Sequence, residues 1–233
     1  MKFYRFQSIN KLTLLNLTNQ KNWISDPFGF NDPFEFSFYD NVLIDNDKDE
    51  FRYLNPIEKK QAEIFKNKIN EFGVICYSSD SFNILLWSHY ADNHKGMCLV
   101  FEVLKKDIHK LHKVNYQNQF PDINLLDDLN SRDEIIKIVT TKSNEWNYEN
   151  EYREILTNKN AHYKYPGKLT EVIFGCRTPF EDIKMVSNIA VSKDDKIKIS
   201  RMHIDSLSYS LTKGTNNSNK NFPTFWETNN LKL

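Results

Sequence analysis

Ten residues in the middle of the chain, Trp87 to Gly96 with the sequence WSHYADNHKG, combine several side-chain types that take part in catalysis. A histidine such as His89 exchanges protons near neutral pH, and the hydroxyl of Tyr90 both donates and accepts hydrogen bonds. Lys95 supplies a positive charge for an anion beside a glycine, where a ligand can approach the backbone closely. The pattern predicts a functional site. The structural alternative is that Trp87 and Tyr90 pack inward while His89 and Asp92, three residues apart on a helix, brace the turn.

A second group of charged and aromatic residues, WNYENEYRE, occupies residues 146–154. If the chain is extended from Glu149 onward, the side chains of Glu149, Glu151 and Arg153 point to one face. Neighbouring carboxylates repel, which raises the pKa of one of them, whereas the arginine favours their charged forms. The trio therefore offers one proton acceptor and one electrostatic stabiliser. The alternative is a solvated strand face with a weak Glu–Arg pair.

Two further sets of polar residues are better explained by structure. Cysteines and histidines with loosely finger-like spacing occur at Cys76, His89, His94 and Cys98. Both thiols fall in predicted buried strands, so we predict no metal site. A second histidine pair, His109 and His112, lies in a lysine-rich segment that we predict to be an exposed helix. The acids of FNDPFE, residues 30–35, fit an Asx turn wrapped over a hydrophobic plug.

The elements that must position these residues are strands and helices without regular βαβ alternation. Alternating patterns and short apolar runs predict strands at residues 2–6, 73–78, 97–103, 151–157, 169–176, 196–204 and 206–212. Helical patterns and caps predict helices at 8–20 (cap Ser8), 56–72, 82–92 (cap Asp80 or Ser81), 124–145 (cap Ser131) and 180–191. Residues 41–52 read as a solvated connection. We therefore predict a single α+β domain over residues 1–212, with a mainly antiparallel sheet flanked by helices, and a polar, flexible tail at 213–233.

Composition excludes several classes of protein. Aromatic residues make up 14% of the chain, which excludes wholesale disorder, and 31 basic residues balance 31 acidic ones, so nothing favours sequence-blind binding to nucleic acid. Three cysteines in apolar runs and an N-terminus without an apolar segment predict a cytoplasmic protein with no membrane association. No glycine-rich phosphate loop occurs. A nucleotide would therefore be held by side chains such as Arg5, Arg153 and Lys95.

Five motifs in order resemble the bacterial family known as domain of unknown function twenty-nine seventy-one. These motifs are KFYRF, FNDPFE, GVICYSS, LWSHYADNHKGMCLVFE and WNYENEYRE. The resemblance covers roughly residues 1–205, and the WSHYADNHKG and W-x-Y-E-x-E-x-R patterns make it specific. The family label implies no reaction.

A more distant similarity is to ADP-ribosyltransferases. In one branch of that superfamily, an arginine on the first strand, a serine-rich second strand and a Glu-x-Glu before a later strand occur in this order. Matching positions here are Tyr4-Arg5, Ser78-Ser79 with Ser81, and Glu149-Asn150-Glu151. The resemblance implies a split sheet and NAD as a substrate, with no metal. It also implies that Arg5 contacts the pyrophosphate, Ser78 or Ser79 the nicotinamide ribose, and Glu151 the ribose 2′-hydroxyl, while Glu149 orients the acceptor.

These observations combine into one functional hypothesis and two alternatives. We expect an NAD-consuming enzyme that transfers ADP-ribose to a protein or nucleic acid acceptor, or hydrolyses NAD, in a bacterial defence or toxin system with an antitoxin-like partner. The predicted catalytic residues are Glu151, Glu149 and His89, and the predicted cofactor-binding residues are Tyr4, Arg5, Ser78, Ser79, Trp87, Tyr90, Lys95 and Arg153. One alternative is a non-catalytic nucleotide-sensing or interaction module. The other is a metal-dependent nuclease that uses His89 with Glu149 and Asp92.

Overall fold

The computed structural model describes residues 1–38, 42–45, 50–123 and 132–216. Within them the chain forms helices α1 (Lys11–Thr18), α2 (Pro56–Ile69), α3 (Ile84–Tyr90), α4 (Arg132–Val139) and α5 (Phe180–Lys193). The strands of the main sheet are β1 (Lys2–Gln7), β5 (Gly73–Ser78), β6 (Met97–Glu102), β7 (Leu111–Lys113), β10 (Glu151–Leu156), β12 (Lys168–Phe174), β13 (Lys198–Ile204) and β14 (Leu211–Asn216). Shorter strand pairs contain β2 (Lys21–Ile24), β3 (Val42–Asp45), β4 (Glu50–Tyr53), β8 (Asn115–Gln117), β9 (Thr141–Ser143) and β11 (Ala161–Lys164).

The chain divides into two compact units, each built from separate segments. Unit 1 comprises Met1–Asn22, Tyr77–Ile108 and the chain from Tyr163 onward. Unit 2 comprises Trp23–Cys76 and His109–His162. The boundary falls within β5, whose first four residues belong to unit 2 and whose last two belong to unit 1. The expectation of one domain over residues 1–212 stays a prediction.

Unit 1 contains most of the main sheet, with strands in the order β14-β13-β12-β6-β1 followed by the end of β5. Antiparallel pairs join β1 to β5 and β6, β6 to β12, and β13 to β14. Strands β12 and β13 are parallel, with α5 between them in the chain. A mainly antiparallel sheet combined with helices confirms the predicted α+β class.

The core on one face of the unit 1 sheet explains why two alternate side chains of β1 are aromatic residues that pack against it. Tyr4 and Phe6 project toward this face, where Trp87 and Ala91 from the α3 segment are completely buried. Phe6 and Trp87 meet edge to face, with ring centroids 5.1 Å apart. The WSHYADNHKG segment therefore contributes to the core through two of its residues.

Unit 2 has its own core between α2, α4 and two strands. Phe65 and Ile69 from α2 pack with Ile138 from α4, Val74 from β5 and Ile155 from β10. Helix α2 begins as the sequence predicts, with proline at its first position. Asn55 caps it, accepting a hydrogen bond from the backbone N–H of Glu58 while the Glu58 carboxylate accepts one from the Asn55 N–H. Strand β10 pairs antiparallel with β7, with Arg153 opposite His112.

Several predicted elements differ from the structure. Residues 41–52 are not only a connection, because Val42–Asp45 and Glu50–Tyr53 pair as antiparallel strands. The lysine-rich segment with His109 and His112 is not an α-helix. It forms a 3-10 helix at Lys105–Lys110 and continues into β7, which pairs with β10.

The predicted caps are also corrected. Asn10, not Ser8, caps α1, because its side chain accepts the Thr13 N–H at 3.0 Å. Asn83 caps α3 in place of Asp80 or Ser81. The Ser131 cap lies outside the described residues.

The last strand starts later than its sequence pattern predicts. It runs over Leu211–Asn216 instead of residues 206–212, so the first four residues of the predicted tail are part of β14. The remainder of that tail lies outside the described residues.

Candidate functional site

Five buried ionisable side chains meet in unit 2. Glu35 lies in the loop before β3, Lys142 on β9, and Glu149 at the end of a 3-10 helix, Asn144–Glu149, while Glu151 and Arg153 lie on β10. Salt bridges join all five, and we call them the ionic cluster. Three of its members carry formal negative charges and two carry positive ones.

The local backbone explains how three of these side chains converge. Glu151 and Arg153 are two residues apart on β10 and therefore share a face. Glu149 is not extended, because the 3-10 helix continues to it, so the condition for all three side chains to share one strand face is not met. Asn150 then adopts a left-handed conformation, with φ 47° and ψ 48°, that ends this helix and begins the strand. Asparagine tolerates this conformation better than most residues.

Arg153 is completely buried, and its hydrogen-bond partners among the described residues are Glu151, Glu35 and the Val139 carbonyl. Its Nε and Nη2 donate to the two carboxylate oxygens of Glu151 at 2.8 and 2.9 Å. Nη2 also donates to Glu35 at 2.9 Å, and Nη1 donates to the Val139 carbonyl at 2.6 Å. The guanidinium fork thus fixes the orientation of the Glu151 carboxylate.

Lys142 bridges all three acids. Its Nζ lies 2.6 Å from Glu149, 3.0 Å from Glu35 and 3.5 Å from Glu151. Burial alone would lower the pKa of Lys142, but these carboxylates outweigh burial and raise that pKa above its usual value. Lys142 is therefore charged at neutral pH.

Glu151 is held in its ionised form. Burial by itself would raise its pKa, but the charge and hydrogen bonds of Arg153, together with Lys142, lower the pKa to about 2. The neighbouring Cys76 behaves in the opposite way, because burial and the Glu151 charge raise the pKa of its thiol well above the usual range. At neutral pH the pair is a carboxylate beside a neutral thiol.

One carboxylate oxygen in the cluster lacks a hydrogen-bond donor. Oε1 of Glu35 accepts from Arg153 and contacts Lys142, but Oε2 is buried and has no partner among the residues that the structure describes. The Asx turn predicted in this loop is confirmed, since Asp32 Oδ1 accepts the Phe34 N–H at 2.9 Å.

Aromatic side chains surround the charged groups. Nζ of Lys142 lies 4.7 Å from the centroid of the Trp146 ring, and Trp146 and Tyr148 form a tilted pair with centroids 6.0 Å apart. The Tyr116 hydroxyl accepts the backbone N–H of Glu151 at 2.9 Å. Trp146, Tyr148 and Tyr116 are each partly exposed, so they offer stacking surface beside buried charge.

The other eight predicted site residues lie in unit 1, four of them on or next to β1 and β5. Tyr4 is opposite Ser78 across these strands. Burial raises the pKa of Tyr4, although a hydrogen bond with Ser81 opposes this rise. Arg5 is half-buried on β1, Ser78 is buried and accepts the Asp80 N–H at 3.0 Å, and Ser79 is exposed.

The remaining four belong to WSHYADNHKG. Trp87 is completely buried, and its indole N–H donates to the Ser81 carbonyl at 2.8 Å. His89 and Lys95 are exposed and Tyr90 is half-buried, so Tyr90 is only partly turned inward. The structure therefore supports the packing alternative for Trp87 and leaves His89 and Lys95 accessible.

Sequence reasoning missed two members of polar clusters. Lys142 sits on a three-residue strand whose parallel pairing with β8 carries no local signal. Glu171, on β12 in unit 1, is buried and accepts hydrogen bonds from Ser200 at 2.6 Å and Lys213 at 2.9 Å. The partners of Glu171 lie 29 and 42 residues away in the chain, so no spacing rule could have paired them.

Among the described residues, no group of three or more His, Cys, Asp or Glu side chains is placed to hold a metal ion. Within the same part of the chain, none of the helices has the length and apolar character needed to cross a membrane.

Comparison with known proteins gives one match. Residues 86–154 match the model of a family described as protein of unknown function (DUF2971). The matched segment runs from α3 to β10 and contains both motifs that carried the resemblance, WSHYADNHKG and WNYENEYRE. The resemblance to this family is thus confirmed over that segment. No curated protein and no solved structure matches the chain.

Proposed function

We propose that the chain is an NAD-consuming enzyme of the ADP-ribosyltransferase type, with Glu151 as its central carboxylate. The observation that carries the proposal is the fixed, ionised state of Glu151, which Arg153 and Lys142 maintain in a buried setting. Breaking the bond between nicotinamide and ribose gives the ribose an oxocarbenium-like positive charge. A preorganised carboxylate stabilises such a charge without having to reorient during the reaction.

The energetics of the ionic cluster support a functional role. Removing five charged groups from water costs several kcal/mol for each, and apolar side chains of similar volume are often at least as stabilising. A cluster of this kind therefore stabilises the fold little more than apolar side chains of the same volume would. Perturbed ionisable groups gathered in one place are characteristic of functional sites.

The charge balance of the cluster fits the proposed substrate. Three carboxylates and two cations leave a formal charge of −1, and Oε2 of Glu35 lacks a donor among the described residues. The nicotinamide ring of NAD is cationic, and the reacting ribose becomes cationic as the bond breaks. A site with one excess negative charge attracts both.

The reaction balances without a metal ion. The bond between the ribose C1′ and the nicotinamide nitrogen breaks, and the nicotinamide leaves as a neutral molecule with both bonding electrons. An acceptor heteroatom, or water, forms the new bond to C1′, and the proton it loses passes to the solvent. In this proposal Glu149 orients the acceptor, and Trp146 and Tyr148 provide surface on which a flat ring can stack.

The roles of the other residues follow from their burial. Arg153 is completely buried and bonded to internal partners, so the proposal makes it a positioning residue for Glu151 instead of a cofactor ligand. The proposal assigns no role to Arg5, Ser78 and Ser79, which lie in unit 1. The proposal also includes a cytoplasmic location and a role in bacterial defence or a toxin system with an antitoxin-like partner.

The test is to incubate the purified chain with NAD labelled in its nicotinamide and, separately, in its adenylate. We expect release of free nicotinamide, with labelled acceptor in the second reaction when a lysate is added. Glu151→Gln, which retains the shape of the side chain, should lower the rate by on the order of 10²-fold or more, the effect of removing one electrostatic stabiliser. Glu145→Gln, an exposed change on the same 3-10 helix, is the matched control and should retain the wild-type rate.

Two results would contradict the proposal. One is a Glu151→Gln variant that folds normally and turns over NAD at the wild-type rate. The other is saturable binding of NAD, measured by calorimetry, with no release of nicotinamide under any condition. The second result would favour the nucleotide-sensing alternative.

A further inference from the structure

A serine and a histidine of unit 1 form a hydrogen-bonded pair outside the ionic cluster. The hydroxyl of Ser88, on α3, lies 3.1 Å from Nε2 of His94, in the loop that follows this helix. Both side chains are partly exposed, so a small molecule in solution can reach them. A serine hydroxyl within hydrogen-bond distance of an imidazole nitrogen is the arrangement by which proteins activate serine as a nucleophile. Neither residue takes part in the proposed NAD chemistry.

The backbone between the two residues brings them together. The loop turns back sharply because Asp92, Asn93 and His94 all have left-handed φ angles, of 47°, 53° and 69°. Two hydrogen bonds to α3 fix this turn. The Asn93 N–H donates to the Ser88 carbonyl at 3.2 Å, and the His94 N–H donates to the Trp87 carbonyl at 3.0 Å. The histidine thus returns to the end of the helix although it lies six residues after the serine.

A second loop of unit 1 holds the His94 backbone in place. The Arg177 N–H, in the loop between β12 and α5, donates to the His94 carbonyl at 3.0 Å. In the same loop, a Cβ atom at Gly175 would lie 2.0 Å from that carbonyl oxygen, so the approach requires glycine. Consecutive non-glycine residues in the left-handed region are strained, and such strain persists only where the surrounding structure fixes it. Strain of this kind is concentrated at functional sites.

The stability of the turn does not by itself explain the position of the imidazole ring. Its second nitrogen, Nδ1, is buried and has no hydrogen-bond partner among the residues that the structure describes. A buried polar atom without a partner is unfavourable, so a histidine that served only to brace the turn would gain from exposing this nitrogen to water. The ring is instead held so that Nε2 meets the Ser88 hydroxyl.

The protonation of His94 suits a general base. Burial, and then the positive charge of Arg177, lower the pKa of His94 below its usual value. The ring is therefore neutral at physiological pH and able to take up a proton. We assign the single ring proton to Nδ1, which leaves Nε2 as the acceptor for the Ser88 hydroxyl.

We propose that Ser88 is a nucleophile for acyl transfer, with His94 as its general base and esters of small carboxylic acids as its substrates. The Ser88 oxygen forms a bond to the ester carbonyl carbon, and its proton passes to Nε2 of His94. The bond from that carbon to the leaving alcohol then breaks, and the alcohol takes the proton from His94. Water next attacks the acyl-serine, with His94 again transferring the proton, which releases the carboxylic acid and restores both side chains.

The test is to mix the full chain with p-nitrophenyl acetate and to follow the release of p-nitrophenol. We expect a burst that reflects acetylation of the protein, and peptide mapping by mass spectrometry should find the acetyl group on Ser88. Ser88→Ala should abolish the burst. His94→Asn should slow acetylation by on the order of 10²-fold, because asparagine tolerates the left-handed backbone but cannot act as a base. Ser192→Ala is the matched control and should keep the wild-type burst, since Ser192 is an exposed serine of unit 1 whose hydroxyl donates to a backbone carbonyl.

Two results would overturn the proposal. One is peptide mapping of the wild-type protein that finds acetyl groups on lysine side chains or nowhere, and none on Ser88. This measurement needs no variant, so it does not depend on how the variants fold. The other is a His94→Asn variant that keeps the wild-type circular dichroism spectrum and is acetylated at the wild-type rate. Both residues belong to unit 1 and neither measurement uses NAD, so such a failure would be distinct from a failure of the proposed NAD chemistry.

Discussion

Arg153 binds the Glu151 carboxylate through two hydrogen bonds, although the two residues are only two positions apart on the same strand. The pleat of β10 places both side chains on one face, and the completely buried guanidinium also reaches Glu35, 118 residues earlier in the chain. Glu–Arg ion pairs on the surface of a strand are usually solvated and weak. This pair is instead buried and linked to Glu35. This arrangement makes the contact sensitive to the loss of either partner.

Replacing Arg153 with methionine should destabilise the protein by about 3–5 kcal/mol, because the variant leaves Glu151 and Glu35 as buried charges without their guanidinium partner. Urea denaturation followed by far-UV circular dichroism measures the change. The double variant Glu151→Gln/Arg153→Met removes the unpaired charge of Glu151 and should be less destabilised than the sum of its single changes. Simple additivity would show that the two side chains do not interact energetically.

Acid should weaken the protein through Glu151. Its folded-state pKa of about 2 lies below the unfolded value of about 4.3, so the ionised group contributes stability that is fully present above pH 4.3. That contribution, on the order of 3 kcal/mol, is lost as pH falls from 4.3 toward 2. Urea midpoints measured between pH 2 and 6 should therefore fall less steeply for Glu151→Gln than for the wild type. Parallel curves for the two proteins would contradict this assignment.

The turn at Asn150 connects the fold to the candidate site. Its left-handed backbone separates Glu149 on the 3-10 helix from Glu151 on β10, and both carboxylates depend on that change of direction. Asn150→Val should cost about 1–2 kcal/mol, since a β-branched residue is disfavoured in this region. Asn150→Gly, which adopts the conformation freely, should change stability by only a few tenths. Thermal unfolding of the two variants provides the comparison, and equal losses would show that backbone conformation is not the cause.

The sequence predicted those parts of the fold and site that depend on local patterns. Helix α2 and strands β1, β5, β6 and β10 follow from periodicity and caps, and the shared face of Glu151 and Arg153 follows from the period of a strand. Lys142 could not be found in this way, because a parallel strand pair brings it to the acids. The same limit applies to the left-handed turn at Asn150, which places Glu149 on a 3-10 helix and not in line with the residues of β10.

Two loops of unit 1, residues 91–96 and 175–179, approach each other closely enough that Gly175 should not tolerate even one added methyl group. A Cβ there would lie 2.0 Å from the carbonyl oxygen of His94. This oxygen belongs to the backbone, so it cannot move away as the end of a flexible side chain would. Gly175→Ala should therefore destabilise the protein by about 1–3 kcal/mol, the usual cost of forcing extra atoms into packed structure. Gly29→Ala is the matched control, because a Cβ at Gly29 meets nothing within 4 Å. It should be neutral or stabilising by up to about 1 kcal/mol, since alanine restricts the unfolded chain. Differential scanning calorimetry of both variants distinguishes the close approach from a general effect of adding a methyl group. Equal melting temperatures for the two would mean that the loops do not need to meet at this distance.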